Sequence, residues 1–305
     1  MRWLLGLLLF VMLAGFTIGW QSRWQLLGLL EVADRLWPGP AGQKIASAIP
    51  FGDDAAQRVD VFAPRGAKPS EKRPVIVWVH GGGWNSGDRA LYGFVGRAFA
   101  AQGFVTVVTG YRLAPQHSFD DFMNDAANSI RWTHANIARY GGDPDRLVLA
   151  GQSAGAHMIM LAALDQRRLG EWAHAGGPIK GIIGLAGPYD FAPFEKGGYA
   201  DIAMGSVKPV SETQPITFAR GDVPPVLLVT GDADETVQPR NSRVLAAALR
   251  GKGNDVTLIE YPGVDHVTTA TALSLLYRGR APVLSDSVAF ARRVTAINPA
   301  AVRPD

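Results

Sequence analysis

The chain has 305 residues, of which 47% are hydrophobic, and its 30 Lys and Arg against 27 Asp and Glu leave a formal net charge of +3. This apolar content suffices for a sizeable core, and the charges form no run of one sign, which argues against nucleic acid as a partner. The absence of cysteine excludes disulfides, thiolate catalysis and cysteine-based metal sites, and leaves the redox compartment open.

An uncharged run of 18 residues, Trp3–Trp20, lies near the amino terminus. It is just long enough to span a bilayer, so residues 1–31 are predicted to be a retained membrane anchor or a cleaved signal peptide. The lack of an Ala-x-Ala site and the further apolar residues from Trp24 to Leu30 favour the anchor. Arg2 favours an inside amino end, which would leave the remainder membrane-anchored outside the cytoplasm, or periplasmic or secreted after cleavage.

Residues 32–45 are rich in Pro and Gly and are predicted to form a linker, followed by one folded domain over 46–305. In that domain, short β-branched runs alternate with segments of helical apolar spacing, which predicts a mostly parallel sheet with helices on both faces. Residues 191–225 interrupt this rhythm and are expected to lie over the carboxyl ends of the strands as a short cap. The predicted strands are 58–62, 75–79, 104–109, 147–150, 180–185, 226–230 and 255–261, and the predicted helices are 91–102, 119–140, 154–164, 241–249 and 285–297.

A serine lies between the fourth of these strands and the helix that follows. The segment Gly151-Gln152-Ser153-Ala154-Gly155 fits the G-x-S-x-G pattern of a nucleophile elbow, in which the serine is held in a strained turn with its hydroxyl exposed. Flanking glycines are needed because larger side chains would collide where strand and helix cross. A chance match in a loop is the alternative, and the apolar strand before the motif argues against it.

A serine hydroxyl needs a base, and the base needs an orienting acid. His266 lies in the loop after the last predicted strand and is the candidate base. The loop after the preceding strand offers Asp232, Asp234 and Glu235. Asp234 is preferred because Asp232 follows the strand at once and is expected to stabilise a turn.

Three glycines follow the second predicted strand. They allow backbone N–H groups to approach a ligand closely, so the N–H groups of Gly82, Gly83 and Ala154 are predicted to bind a developing oxyanion. Trp84, directly after the glycines, and Tyr189 are the predicted walls of a substrate pocket.

Taken together, these motifs resemble the α/β-hydrolase superfamily, in particular the esterase and lipase group related to hormone-sensitive lipase. The resemblance covers about residues 51–270 and rests on the segments His80–Trp84, Tyr111–Pro115, Tyr140–Pro144, Gly151–His157, Gly231–Val237 and Asp265-His266. It implies an α/β-hydrolase fold, no cofactor or metal, and hydrolysis of carboxylic esters through an acyl-enzyme, with Ser153, His266 and Asp234 as the triad. The elbow is similar to that of isoprenylcysteine methylesterases, and the HGGxW loop also occurs in kynurenine formamidases and feruloyl-type esterases.

Other functions remain open beside ester hydrolysis. A formamidase, an amidase or a serine peptidase could use the same fold and triad. A catalytically inactive, membrane-tethered binding module is a further alternative, although such a module would have no use for a complete triad and glycine loop. The expected partner is a small-molecule ester, together with the membrane if the amino-terminal segment is retained.

Overall fold

An eight-stranded sheet lies at the centre of the computed structural model, which describes residues 21–36 and 42–296. In chain order, the strands are β1 (Gly42–Pro50), β2 (Arg58–Pro64), β3 (Arg73–Val79), β4 (Val105–Thr109), β5 (Gly142–Gln152), β6 (Ile179–Leu185), β7 (Val226–Gly231) and β8 (Val256–Tyr261). They lie side by side in the order β1-β2-β4-β3-β5-β6-β7-β8. The first two pairings are antiparallel and the rest are parallel, so the predicted mostly parallel sheet is confirmed.

Helices cover both faces of this sheet, as predicted. They are α1 (Gln21–Leu36), α2 (Gly93–Ala101), α3 (Phe119–Asn136), α4 (Ala154–Leu164), α5 (Gln166–Leu169), α6 (Tyr199–Met204), α7 (Arg240–Arg250), α8 (Thr268–Thr271) and α9 (Val283–Thr295). Because side chains alternate along a strand, Val75, Val77 and Val79 of β3 belong to one apolar cluster with α3, α4 and α7. Ile76 and Trp78 belong to a second cluster with α1, α2 and α9. Burial on both faces explains the continuous apolar run in β3.

The amino-terminal part of the described chain differs from the prediction of a linker over residues 32–45. Residues 32–36 continue helix α1, and residues 42–45 begin strand β1. Both elements belong to the folded domain, because Leu27 and Leu30 of α1 are buried in the core and β1 pairs with β2. The Pro-Gly pattern marks the short connection between them, which lies outside the described residues.

The predicted anchor or signal segment, Trp3–Trp20, also lies outside the described residues. Over 21–36 and 42–296, no helix combines the length and the apolar character needed to cross a membrane. The boundary predicted at residue 31 falls inside α1, and the buried face of this helix joins it to the domain that follows.

The segment between β6 and β7 forms the predicted short cap. It contains helix α6 and two 3-10 turns, Val210–Thr213 and Pro215–Phe218. Phe191 and Tyr199 of this segment line the same cavity as Ser153, which follows β5. The cap therefore lies at the carboxyl ends of the parallel strands, where open α/β sheets bind their ligands.

Candidate active site

Ser153 occupies the turn between β5 and α4 with φ 56° and ψ −123°. A non-glycine residue rarely adopts this conformation, and such strain is a feature of functional sites. A Cβ on Gly151 would come within 2.7 Å of the Gly155 carbonyl carbon, and a Cβ on Gly155 would collide with the Val79 carbonyl group. The two glycines are therefore required for the close crossing of strand and helix.

The structure brings the three predicted triad residues together. Ser153 Oγ lies 2.9 Å from His266 Nε2, and His266 Nδ1 lies 2.8 Å from Asp234 Oδ2. His266 is 5% exposed and Asp234 is 3% exposed, so both groups are shielded from bulk water. An imidazole that donates from Nδ1 to a carboxylate keeps its Nε2 lone pair for the proton of the serine hydroxyl.

The remaining oxygen of Asp234 is also occupied. Oδ1 accepts hydrogen bonds from the backbone N–H groups of Thr236, at 2.9 Å, and Val237, at 2.8 Å. These donors fix the orientation of the carboxylate toward the imidazole. The loop after β7 thus holds the acid in place through its own backbone.

The neighbouring acids have other roles. Asp232 Oδ1 accepts a hydrogen bond of 2.6 Å from Gly263 N, and so joins the loop after β7 to the loop after β8. Asp265 Oδ1 accepts one of 2.7 Å from Thr268 N, at the start of α8. Glu235 is exposed and lines the cavity. Among the acids considered from the sequence, Asp234 is the one hydrogen-bonded to the imidazole.

His80 holds the glycine loop through a hydrogen bond, in which its Nδ1 donates to Gly81 O at 2.8 Å. Its ring stacks on Tyr111, with centroids 4.4 Å apart, and on Tyr92, at 5.5 Å. Burial lowers the pKa of His80 to about 4, which keeps the ring neutral near pH 7. The glycine loop is therefore held by a neutral imidazole that is packed against two tyrosine rings.

Gly82 and Gly83 adopt φ values of 135° and 60°, which other residues rarely adopt. Within 21–36 and 42–296, their N–H groups make no turn or loop hydrogen bond to another backbone group. Ala154 is the first residue of α4, where a backbone N–H has no partner inside its helix. These are the three donors predicted for the oxyanion. Gly82 and Gly83 also line the cavity that contains Ser153.

The walls of this cavity are largely apolar and aromatic. They include the predicted Trp84, together with Phe191 and Tyr199 of the cap. Helix α1 contributes Trp24 and Leu27, which sequence reasoning missed. Their participation depends on how α1 packs against the domain, and local sequence carries no signal for it.

Tyr189 does not line the cavity, contrary to the prediction. Its side chain is fully buried, and its hydroxyl lies where a Cβ on Gly184 or Gly187 would be. The neighbouring residues Pro188 and Asp190 line the cavity instead. The two glycines leave room for the ring inside the domain, so it turns away from the site.

Gln152 contacts the same histidine as the serine does. Its Nε2 donates a hydrogen bond of 3.2 Å to His266 O and lies 3.3 Å from His266 Nε2. The side chain is 6% exposed and lines the cavity. Gln152 therefore fixes the loop that carries the imidazole, a role that sequence reasoning did not assign.

Comparisons with known proteins relate the chain to a protein family and to named esterases. The BD-FAE family model matches residues 59–249. A probable isoprenylcysteine alpha-carbonyl methylesterase of Oryza sativa subsp. japonica is 29% identical over 85% of this chain and 69% of its own length. Esterase LipC of Mycobacterium tuberculosis is 30% identical over 71% of this chain and 58% of its own length. The chain thus spans between 58% and 69% of the length of these two curated relatives.

The fold is also found in solved structures. Esterase B from Lactobacillus rhamnosis, solved with a tributyrin phosphonate, has a TM-score of 0.75 at 20% identity, over 90% of this chain and 94% of that one. At this identity the likeness concerns the fold. Because the family model matches more than half of the chain, the protein belongs to the BD-FAE family and is an α/β-hydrolase of the esterase group.

Proposed function

We propose that this protein hydrolyses carboxylic esters through an acyl-enzyme, with Ser153 as nucleophile, His266 as general base and Asp234 as the residue that orients the base. The observation that carries the proposal is the unbroken line of hydrogen bonds from the strained serine through the buried imidazole to the carboxylate. This line ends at a cavity with apolar walls. A nucleophile, a base and an orienting group in contact are the requirements for serine catalysis.

The reaction would begin when Ser153 Oγ attacks the ester carbonyl carbon and its proton passes to His266 Nε2. The carbonyl electron pair moves onto oxygen, and the oxyanion would accept hydrogen bonds from the N–H groups of Gly82, Gly83 and Ala154. The proton then passes from Nε2 to the leaving oxygen, and the alcohol departs. A water molecule then attacks the acyl carbon and gives its proton to the same nitrogen; the bond to Ser153 Oγ breaks as that proton passes to Oγ, which releases the acid and restores the serine hydroxyl.

The apolar walls favour an ester with an apolar acyl or alcohol group. Trp84 and Phe191 stack with ring centroids 5.9 Å apart, and both line the cavity. Relatives named as esterases support an ester over an amide. A formamidase, amidase or peptidase would use the same triad, and a panel of p-nitrophenyl esters, formanilides and aminoacyl anilides would rank these activities.

A fluorophosphonate probe on the full chain tests the proposal directly. We expect one covalent adduct on the wild-type protein and none on Ser153→Ala, with kcat for p-nitrophenyl butyrate reduced by several orders of magnitude. Ser285→Ala is the matched control, because Ser285 is exposed and its hydroxyl donates to Pro282 O in the loop before α9. Labelling or turnover retained by Ser153→Ala would refute the assignment, and an unlabelled wild type would favour an inactive binding module.

A further inference from the structure

Helix α1 packs one face against the folded domain, and the amino-terminal part of this face reaches the active-site cavity. Leu27, Leu30 and Asp34 are buried along this face, at a spacing of three and four residues. Trp24, one turn earlier, lines the cavity with Leu27, and a Cβ on Gly82 would lie 3.1 Å from Trp24 Cη2. The indole therefore rests against the glycine loop, and α1 forms part of the wall of the site.

Polar contacts hold this helix in place. Glu31 forms an ion pair with Arg97 of α2, and Arg97 Nη2 also donates a hydrogen bond of 3.1 Å to Glu31 O. Asp34 Oδ1 accepts a hydrogen bond of 3.1 Å from Leu275 N, in the segment that follows α8. These contacts fix the orientation of α1, so the direction of its opposite face is also fixed.

The opposite face carries an apolar stripe made of Leu29, Val32 and Leu36. These side chains are 41%, 52% and 73% exposed. Their spacing of three and four residues aligns them on one side of the helix over two turns. Single exposed leucines are ordinary, but three aligned apolar side chains form a patch of the kind that marks an interaction surface.

The sequence before the helix indicates what covers this stripe. Trp3–Trp20 carries no charged residue, and a run of this kind partitions into a bilayer. A helix that follows such a run at once, with aligned apolar residues on one side, has the composition of an interfacial helix. Arg35, next to the stripe, is exposed and has no ion-pair partner among the described residues, so it can meet anionic headgroups.

We infer that α1 lies on a lipid bilayer with the stripe Leu29, Val32 and Leu36 in the membrane surface, and that the site behind it takes esters dissolved in that bilayer. The same helix then has lipid on one side and the cavity on the other. Trp24 and Leu27 would contact the apolar part of an ester that enters along the helix. This inference rests on the proposed ester hydrolysis and adds the substrate class to it.

The absence of cysteine from the chain allows a direct test by site-specific labelling. Full-length Leu29→Cys, Val32→Cys and Leu36→Cys variants would each carry a fluorophore and be reconstituted with phosphatidylcholine vesicles that contain phosphatidylglycerol. We expect nitroxide-labelled lipids to quench all three. Ala247→Cys is the matched control, because it is exposed on α7, which packs on the other face of the sheet.

The outcomes are distinct. Quenching at the stripe and not at residue 247 supports the inference. If nitroxide lipids do not quench the labels at the stripe, the inference is overturned. Quenching by aqueous iodide would then show that the stripe is exposed to solvent. Protection from iodide would show that a second copy or another segment of the chain covers it. This measurement requires no catalysis, so its result is independent of the proposed function.

A second test measures turnover with the triple variant Leu29→Gln, Val32→Gln, Leu36→Gln. Hydrolysis of p-nitrophenyl butyrate in water should remain within about twofold of wild type, because the three side chains lie outside the cavity. Hydrolysis of a long-chain ester dissolved in the vesicles should fall by at least about tenfold, since three apolar contacts with lipid are lost. Equal retention of both activities would overturn the inference, whereas a wild type inactive on both esters would refute the proposed function instead.

Discussion

The indole Nε1 of Trp84 donates a hydrogen bond to His157 Nδ1, 3.1 Å away. The other ring nitrogen of His157 donates to Thr213 O at 2.8 Å, which fixes the tautomer with the proton on Nε2. Burial lowers the pKa of His157 to about 4, so the ring is neutral near pH 7 and can accept at Nδ1. His157 lies on α4, and its two ring nitrogens thereby connect this helix to Trp84 and to Thr213 of the cap.

Trp84→Phe should destabilise the protein by about 1 to 3 kcal/mol beyond the loss of packing, because it leaves a buried imidazole nitrogen without its donor. Trp78→Phe is the matched control. Its indole is also buried, but its Nε1 has no hydrogen-bond partner in the part of the chain that the structure describes, so the same substitution removes packing alone. Urea unfolding of both variants gives the comparison, and equal losses of stability would contradict a role for the hydrogen bond.

Asp234→Asn should leave the fold intact and reduce kcat by a factor on the order of 10⁴, because the amide favours the wrong imidazole tautomer. Asp232→Asn should leave kcat nearly unchanged. Its carboxylate accepts from Gly263 N, an interaction that an amide oxygen can keep, so the stability loss should not exceed about 1 kcal/mol. The measurement is kcat beside a thermal melt for each variant. The opposite order of effects on kcat would assign the acid to Asp232.

Tyr189→Phe should leave KM unchanged, because the ring lies outside the cavity. Among the described residues its buried hydroxyl has no hydrogen-bond partner, so its removal should leave stability equal or slightly higher. Trp84→Phe should change KM for the same ester, since Trp84 lines the cavity. A rise in KM for Tyr189→Phe would restore the pocket role that the sequence suggested.

The hydrogen-bonded arrangement of Ser153, His266 and Asp234 could be predicted because its requirements are local. A strained elbow needs glycines on both sides of Ser153, and the acid and base follow late strands, so strand order alone brings Asp234 and His266 to one edge of the sheet. The same logic places the glycine loop beside the serine. The sequence therefore carries the chemistry of the site in short segments, each at the end of a strand.

Features that depend on tertiary packing were not predictable in this way. Trp24 reaches Gly82 because α1 docks on α2, and no local pattern encodes that contact. Periodicity does not predict side-chain direction in an irregular loop. The sequence therefore held no signal that Tyr189 is buried inside the domain while its neighbours line the cavity. Strand β1 was not predicted for another reason. It lies at the edge of the sheet, most of its residues are exposed, and it follows a Pro-Gly connection, so it lacks the apolar run of a buried strand.

The buried carboxyl of Asp34 should make the docking of α1 depend on pH. Burial raises its pKa from 3.8 to about 6, against the lowering influence of the Leu275 hydrogen bond and of Arg97 and Arg278, while Glu31 raises it further. A pKa raised in the folded state means that the folded protein binds the proton more tightly than the unfolded chain does. The contribution of this group to stability is therefore present below pH 3.8 and is lost as pH rises through about 6.

Asp34→Asn should remove this pH-dependent contribution to stability, because an amide does not titrate but keeps an oxygen acceptor for Leu275 N. The melting temperature of the variant, minus that of wild type, should rise between pH 4 and pH 7. His80 and His157, with pKa values lowered to about 4, contribute the opposite trend in both proteins, so they cancel in the difference. Asp53→Asn, at an exposed carboxylate, is the control for loss of one charge. A difference between Asp34→Asn and wild type that stays constant over this pH range would show that the proton on Asp34 has no part in holding α1.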